Sequence, residues 1–134
     1  MQETKYGSFK NKKICKGCRY CVKGEKLVLF ITGVCSKDCY YCPLSDYKKG
    51  VDAVWANEWK IDSKKDLIKE IDLCESKGAG ITGGDPLIRL DRTLDYIKFL
   101  KENYGKDFHI HLYTPLKLVK EESLKKLYNA GLDE

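Results

Sequence analysis

The stretch from Lys26 to Cys42 decides the fold, and it reads KLVLFITGVCSKDCYYC. Its first nine residues, 26–34, form a nearly continuous apolar run that is rich in branched and aromatic side chains. Such a run is typical of a strand buried on both faces, as in a parallel sheet covered by helices. We therefore predict a buried parallel strand that leads directly into a loop with three cysteines.

The loop carries Cys35, Cys39 and Cys42 with the spacing C-x3-C-x2-C. This spacing is tight enough for one loop to place three sulfurs around a single iron–sulfur cluster. Three thiolates satisfy three irons of a 4Fe-4S cluster, so the fourth iron is left open for a non-protein ligand, as an enzyme requires. A structural zinc site normally has four protein ligands, which argues against zinc here. We predict that these three cysteines ligate a 4Fe-4S cluster.

The rest of the sequence alternates between helical stripes and short strands. It predicts three helices, over residues 63–76, 92–104 and 121–129, and Asp91 is the predicted cap of the second. Short strands are predicted between and after these helices, at residues 81–82, 107–113 and 132–134. Cys74 lies on the apolar stripe of the first of these helices, so we expect it to be a buried core residue. Strands separated by helices imply parallel βα units with right-handed crossovers.

The predicted fold class is therefore α/β. We expect a partial (β/α) TIM-like barrel of about three to four parallel βα units with a cysteine-rich N-terminal arm. Residues 1–25 form the cysteine-rich basic arm, which includes a possible second metal site, and residues 26–134 form an incomplete core domain.

A second motif, Thr82-Gly83-Gly84-Asp85-Pro86, ends the next predicted strand. Together with the cysteine triplet and with Tyr41 directly before the last cysteine, it resembles the radical S-adenosylmethionine (radical SAM) superfamily. The family motif is Gly-Gly-Glu-Pro, so Asp85 stands where a glutamate is usual. The resemblance covers residues 26–134. Within the superfamily it is to an uncharacterised branch related to the pyruvate formate-lyase activating enzyme, and the chain looks like the N-terminal part of the core domain of such a protein.

The resemblance implies a cofactor site and a reaction. Tyr41 would pack by the adenine of S-adenosylmethionine, while Gly83, Gly84 and Asp85 would contact its methionyl end. The implied reaction is reductive cleavage of S-adenosylmethionine to a 5′-deoxyadenosyl radical, which abstracts hydrogen from a substrate that the sequence does not identify. An electron donor such as a ferredoxin or flavodoxin is implied as a partner, and no catalytic side chain is indicated.

A second triplet, Cys15, Cys18 and Cys21, has the spacing C-x2-C-x2-C. It begins like the bacterial ferredoxin run, but Glu25 stands where that run has its fourth cysteine. The fourth ligand would therefore come from elsewhere or be missing. A second iron–sulfur cluster and a structural zinc site remain open alternatives.

His109 and His111 alternate with apolar residues along one predicted strand, so their side chains share a face. One interpretation is a contact to substrate or cofactor, or even ligation of the second metal. The other is a pair of hydrogen-bonded histidines in the barrel interior.

Composition and charge narrow the class of protein. No apolar run approaches the roughly 18 residues that cross a bilayer, and the N-terminus lacks the apolar stretch of a signal peptide, so we expect a cytoplasmic protein without a membrane partner. Six of the seven cysteines lie between residues 15 and 42, and the absence of an export signal favours soft-metal ligation over disulfides. Such metal sites favour a reducing, anaerobic setting.

Two alternatives to a radical SAM enzyme remain at this point. An iron–sulfur electron carrier would need four cysteines for each cluster, and neither triplet has an adjacent fourth. A zinc-stabilised nucleic-acid-binding module is suggested by residues 1–26, which carry eight Lys or Arg and two acidic residues. The same basic charge would also compensate metal-bound thiolates.

Overall fold

The computed structural model describes residues 1–134 and has a five-stranded mixed sheet at its centre. The elements in chain order are β1 (Gln2–Glu3), β2 (Phe9–Lys10), α1 (Lys16–Cys21), β3 (Leu27–Phe30), β4 (Val54–Ala56), β5 (Trp59–Ile61), α2 (Lys64–Leu73), β6 (Gly78–Thr82), a 3-10 helix (Pro86–Arg89), α3 (Leu90–Tyr104), β7 (His109–Leu112) and α4 (Glu121–Ala130). The strand order in the central sheet is β5-β4-β3-β6-β7, and β1 pairs with β2 in a separate antiparallel hairpin. None of the helices is both long enough and apolar enough to cross a membrane.

Three strands of the central sheet, β3, β6 and β7, are parallel and are separated along the chain by helices. Their register places Leu29 opposite Ile81 and Ile81 opposite Leu112. The last residues of the chain run beside β7, because the Asp133 amide donates to the Ile110 carbonyl over 3.0 Å. The α/β class and the parallel units are thus confirmed, while these strands form an open sheet and no barrel is seen.

The sheet also contains a hairpin, β4 and β5, in a segment whose sequence shows no clear periodicity. β4 pairs antiparallel with β3, and Trp55 on β4 is almost fully buried with its ring 5.2 Å from that of Phe30. Asn57 turns the hairpin with a φ of 53°, a conformation that asparagine tolerates better than most residues. The hairpin makes one edge of the sheet antiparallel, which the sequence did not predict.

The main core lies between the sheet and the helices α2 and α3. Its fully buried side chains alternate along the strands and follow a stripe on each helix, as burial on one face requires. They include Leu27, Leu29, Ile81, Ile110, Leu67, Ile97 and Leu100. Ser63 caps α2 in a capping box with Asp66, which fixes where that helix begins.

Two sequence predictions about helix ends are wrong. α2 ends at Leu73, so Cys74 lies at its C-cap and is exposed, with its thiol donating to a carboxylate oxygen of Glu70 over 3.4 Å. Asp91 does not cap α3, because the preceding 3-10 helix, capped by Asp85, runs directly into it. Both errors concern helix ends, which sequence patterns define only to within a few residues.

Candidate functional site

Two loops meet beyond the carboxyl ends of β3 and β6. The Gly84 amide donates to the Thr32 carbonyl over 2.7 Å, and the Asp85 amide donates to the Val34 carbonyl over 2.9 Å. The segment with the glycine motif therefore continues alongside the segment that enters the cysteine loop. The structure thus brings together two sequence motifs that lie far apart in the chain, at the end of the sheet where α/β sites form.

The glycines of this region are required by the close approach of the two segments. A Cβ added at Gly83 would lie 2.6 Å from the Thr32 carbonyl oxygen, and one at Gly84 would collide with the Val34 carbonyl oxygen. Gly33 is enclosed in the same way by the Lys48 carbonyl. The backbones are too close for any side chain, so they form a cradle of bare peptide groups beside the cysteine loop.

Asp85 ties three loops together with one carboxylate, which is fully buried. Oδ1 accepts from the Leu87 amide over 3.1 Å and from the Thr114 hydroxyl over 3.0 Å, while Oδ2 accepts from the Ser36 hydroxyl over 3.2 Å. Lys117 adds a further link by donating to the Ser36 carbonyl over 3.2 Å. The loop after β7 thus joins the loops after β3 and β6. The sequence did not indicate this contact, because Ser36 is a variable position of the cysteine motif and Thr114 and Lys117 lie in the separate loop after β7.

The cysteine loop presents three free thiols on its partly exposed surface, those of Cys35, Cys39 and Cys42. The Cys42 amide donates to the Cys39 carbonyl over 3.0 Å, so the last two cysteines are held in one turn. None of the three belongs to a group of side chains whose ligand atoms all lie within 4.8 Å. Three soft, reachable donors on one loop are chemically suited to an iron–sulfur cluster, which spreads its ligands over separate irons.

Tyr41 lies on the surface of the same loop, with 71% of its side chain exposed. Its ring is in edge contact with that of Tyr40 at 5.1 Å, and a hydrogen bond with Cys39 raises the pKa of its hydroxyl. The ring has no role in the protein core, so it is available to a ligand on the outside of the loop.

Asp52 supports the start of the cysteine loop from outside. It accepts from the Thr32 hydroxyl over 2.9 Å, from Arg92 over 2.7 Å and from Arg89 over 2.8 Å. Hydrogen bonds from Arg92 above all, and also from Arg89 and Thr32, hold the pKa of the Asp52 carboxyl well below its usual range. No sequence signal marked this network, because it joins single residues from three separate segments.

A second group of polar side chains lies at the other end of β7. Lys26 Nζ is 3.0 Å from His109 Nδ1 and also contacts His111 Nδ1, while His109 Nε2 is 3.5 Å from a carboxylate oxygen of Glu134. The ligand atoms of His109, His111 and Glu134 all lie within 4.8 Å of one another, and both histidines are buried. We call Lys26, His109, His111 and Glu134 the histidine cluster.

Burial and the nearby ammonium of Lys26 disfavour the protonated form of both imidazoles. Burial, followed by the ammonium of Lys26, lowers the pKa of His111 to about 4 and also lowers the pKa of His109. Burial lowers the pKa of Lys26 as well, although its cysteine and glutamate neighbours oppose that effect. In a neutral imidazole one ring nitrogen carries a lone pair, which here faces Lys26 Nζ and is the atom that would bind a metal.

The cysteines of the second triplet lie on α1 and at the N-cap of this helix. Because Gly17 of α1 lies directly against His111 and Lys26, the helix covers the histidine cluster. Cys15 is the N-cap, and its sulfur accepts from the Cys18 amide over 3.4 Å. Cys21 is the last residue of the helix. A cavity of about 200 Å³ lies between this helix and the sheet, lined by Cys15, Cys18, His111, Leu112, Tyr113 and Glu134. The structure therefore places Cys15 and Cys18 of the second triplet in one cavity with His111, which their positions in the sequence do not show.

Comparison with known proteins extends these observations. The family model described as the radical SAM superfamily matches residues 29–134. A curated relative from Methanocaldococcus jannaschii, named "Putative glycyl-radical enzyme activating enzyme MJ0021", is 52% identical over 122 residues. The match covers 91% of this chain and 32% of that protein, so the chain spans about a third of the length of this relative. No solved structure matches the chain.

Proposed function

The chain belongs to the radical SAM superfamily, and from this membership we propose that it holds a 4Fe-4S cluster and S-adenosylmethionine where the loops after β3 and β6 meet. The observation that carries the proposal is the contact between the two motifs. Gly84 and Asp85 hydrogen-bond the backbone that leads into Cys35, so a ligand bound to the cysteine loop would also face the glycine segment.

In this proposal Cys35, Cys39 and Cys42 ligate the cluster, and their free, partly exposed thiols fit that role. When bound, the cluster and S-adenosylmethionine supply reductive cleavage of the sulfonium bond and a 5′-deoxyadenosyl radical that abstracts hydrogen from a substrate. The protein positions the cluster and S-adenosylmethionine relative to each other. Gly83 and Gly84 present peptide groups without side chains, and Tyr41 offers an exposed ring for the adenine.

Asp85 has a supporting role beside these residues. Both of its carboxylate oxygens are engaged by donors of the protein itself, from Ser36, Leu87 and Thr114. We propose that the segment around Asp85 contacts the methionyl end of the cofactor, while the buried Asp85 carboxylate holds the cysteine loop against the glycine segment.

The name of the relative suggests a substrate class. We propose that residues 26–134 are the cluster-binding part of an activating enzyme that abstracts hydrogen from a glycine of a partner protein, and that residues 1–25 form a separate metal-binding arm. A low-potential donor such as a ferredoxin or flavodoxin would supply the electron.

The test isolates the first cysteine triplet. The triple variant Cys15→Ala, Cys18→Ala, Cys21→Ala would be reconstituted anaerobically with iron and sulfide, reduced, and examined by electron paramagnetic resonance with and without S-adenosylmethionine. We expect a 4Fe-4S signal that S-adenosylmethionine perturbs. Adding Cys35→Ala should abolish the signal, whereas adding Cys74→Ala, which removes an exposed cysteine outside the loop, should leave it unchanged.

The other outcomes separate the remaining functions. A signal that S-adenosylmethionine leaves unchanged would contradict the cofactor site and favour an electron carrier. A colourless protein that holds zinc and binds RNA or DNA with steep salt dependence would favour the nucleic-acid-binding module.

A further inference from the structure

The space beneath α1 is shaped by glycines on both sides. On β6, Gly78 and Gly80 lie opposite His109 and His111 in the parallel register, so no side chain separates the histidines from Lys26. On α1, a Cβ added at Gly17 would collide with His111 Nδ1 and lie 2.8 Å from Lys26 Nζ. The first turn of α1 therefore rests directly on the histidine cluster, and a residue larger than glycine at position 17 would push it away.

This contact places Cys15 and Cys18, the residues on either side of that turn, against His111. The shared cavity of about 200 Å³ is lined by both cysteines together with His111 and Glu134. His111 is 5% exposed, and its Nδ1 faces the helix rather than the main core between the sheet and α2 and α3. This nitrogen is directed at the helix whose cysteine run lacks its fourth ligand, and iron binding there would replace its contact with Lys26 Nζ.

Charge in this region also favours a bound cation. Cys15, Cys18 and Glu134 line the same cavity, so two thiolates and a carboxylate there would place negative charges close together. Lys26 is the nearby positive charge, and it faces Cys15, Cys18, Cys21 and Glu134 as well as the two histidines. A metal centre would neutralise the thiolates, and the ammonium would balance the remaining negative charge.

We propose that Cys15, Cys18, Cys21 and His111 ligate a second iron–sulfur cluster, in which His111 supplies the ligand that the run of three cysteines lacks. Four protein ligands leave no iron open, so this centre would transfer electrons or stabilise the arm and would not bind a substrate. A histidine ligand carries no negative charge, which raises the reduction potential of a cluster relative to ligation by cysteine alone.

A cluster fits the geometry better than a single zinc ion. Cys15 and Cys21 are the two ends of α1, and six residues of helix correspond to a rise of about 9 Å. One zinc ion with Zn–S bonds of about 2.3 Å needs its sulfurs within about 4.6 Å of one another. The three thiols form no group within 4.8 Å, whereas a cluster binds each thiolate at a separate iron.

The experiment uses the full chain with the first site removed by Cys35→Ala, Cys39→Ala and Cys42→Ala. After anaerobic reconstitution, iron, sulfide and zinc would be measured, and the reduced protein would be examined by pulsed electron paramagnetic resonance for coupling to ¹⁴N. We expect about four irons and four sulfides per chain with one strongly coupled imidazole nitrogen. Because the first site is absent, the result does not depend on the function proposed above.

Three further variants assign the nitrogen. His111→Ala should lose the ¹⁴N coupling and at least one iron, while His109→Ala should keep both. His111→Cys keeps a ligand at the same position, so it should retain all the iron, lose the ¹⁴N coupling and lower the reduction potential. It also shows whether a loss in His111→Ala reflects unfolding, which circular dichroism would check.

The proposal is overturned by any of three results. Retention of the nitrogen coupling in His111→Ala would exclude this ligand. Zinc in place of iron would show a mononuclear site, and a folded chain without metal would show that the second triplet binds none.

Discussion

The Ser36 hydroxyl, one residue after the first cysteine of the loop, donates a 3.2 Å hydrogen bond to the carboxylate of Asp85, one residue after the paired glycines. This bond joins the two motifs by side chains at the same place where the Asp85 amide joins them by backbone. The shorter acid at position 85, where the family motif has glutamate, is therefore an integral part of the connection between loops. Its carboxylate also reaches Thr114, which brings in the end of β7.

Asp85→Ala should be strongly destabilising. The change removes a fully buried carboxylate and leaves the donors of Ser36, Leu87 and Thr114 without their acceptor. Because unsatisfied buried donors cost about 1–3 kcal/mol each when they remain dry, we expect a loss of about 3 kcal/mol in the free energy of unfolding. Urea unfolding measures this loss in the free energy of unfolding. Ser36→Ala removes one of the three bonds and should cost about 1 kcal/mol, and equal losses in the two variants would contradict the bridging role.

Asp52 should make the free energy of unfolding depend on pH in the acid range. Its hydrogen bonds from Arg92, Arg89 and Thr32 lower its pKa in the folded chain, so near pH 4 the unfolded chain binds more protons than the folded one. Its contribution is therefore present above about pH 4 and is lost as the pH falls below that value. Since its side chain is one-third exposed, we expect Asp52→Asn to cost only about 1 kcal/mol at pH 7.

The measurement is urea unfolding of wild type and Asp52→Asn between pH 7 and pH 2. The difference between the two proteins should shrink as the solution becomes more acidic. Asp38→Asn is the matched control, because Asp38 forms an ion pair with Lys49 but is 92% exposed, and it should have no measurable effect. A difference for Asp52→Asn that stays constant with pH would contradict the lowered pKa.

Gly84→Ala should separate the two motifs. The added methyl group would meet the Val34 carbonyl and lie 2.8 Å from the Gly33 carbonyl oxygen, so the backbones must move apart. We expect a loss of about 2–3 kcal/mol in stability and at least a tenfold loss of affinity for S-adenosylmethionine in the reconstituted protein. Gly24→Ala is the control, since Gly24 has a φ of 71° and open space around it. It should cost about 1 kcal/mol and leave cofactor affinity unchanged, and unchanged affinity in Gly84→Ala would contradict the cradle.

Local signals explain what the sequence predicted well. The buried strand before Cys35 and the contact between the cysteine loop and the glycine segment follow from an apolar run, from glycine and proline chemistry, and from the rule that parallel strands end together. The three longer helices α2, α3 and α4 were placed correctly apart from their ends, because each has an apolar stripe of several turns, whereas the six-residue α1 was not predicted. Each strand, helix and motif in this set is marked by residues that are neighbours in sequence, and the contact between the two motifs follows from the general rule for parallel strands.

What was missed depends on contacts between distant residues. The strands β4 and β5 have three residues each, too few for a periodic pattern to be visible. Lys26 meets His109 and His111 across more than 80 residues, and Gly17 allows that meeting only once α1 has docked on the sheet. Sequence spacing could suggest that the histidines share a face, but it could not show which helix covers them.

Tyr41→Ala tests the cofactor site without disturbing the fold. The ring is 71% exposed and contributes little to packing, so urea unfolding should show a change of less than about 0.5 kcal/mol. If the ring stacks on the adenine, its loss should weaken binding of S-adenosylmethionine by about 1–3 kcal/mol, which is roughly 5-fold to 150-fold in Kd. Isothermal titration of the anaerobically reconstituted protein measures that change. Tyr40→Ala removes the neighbouring ring, which is 99% exposed, and should leave Kd unchanged. Equal effects of the two substitutions would mean that the loop surface in general, and not the ring before Cys42, contacts the cofactor.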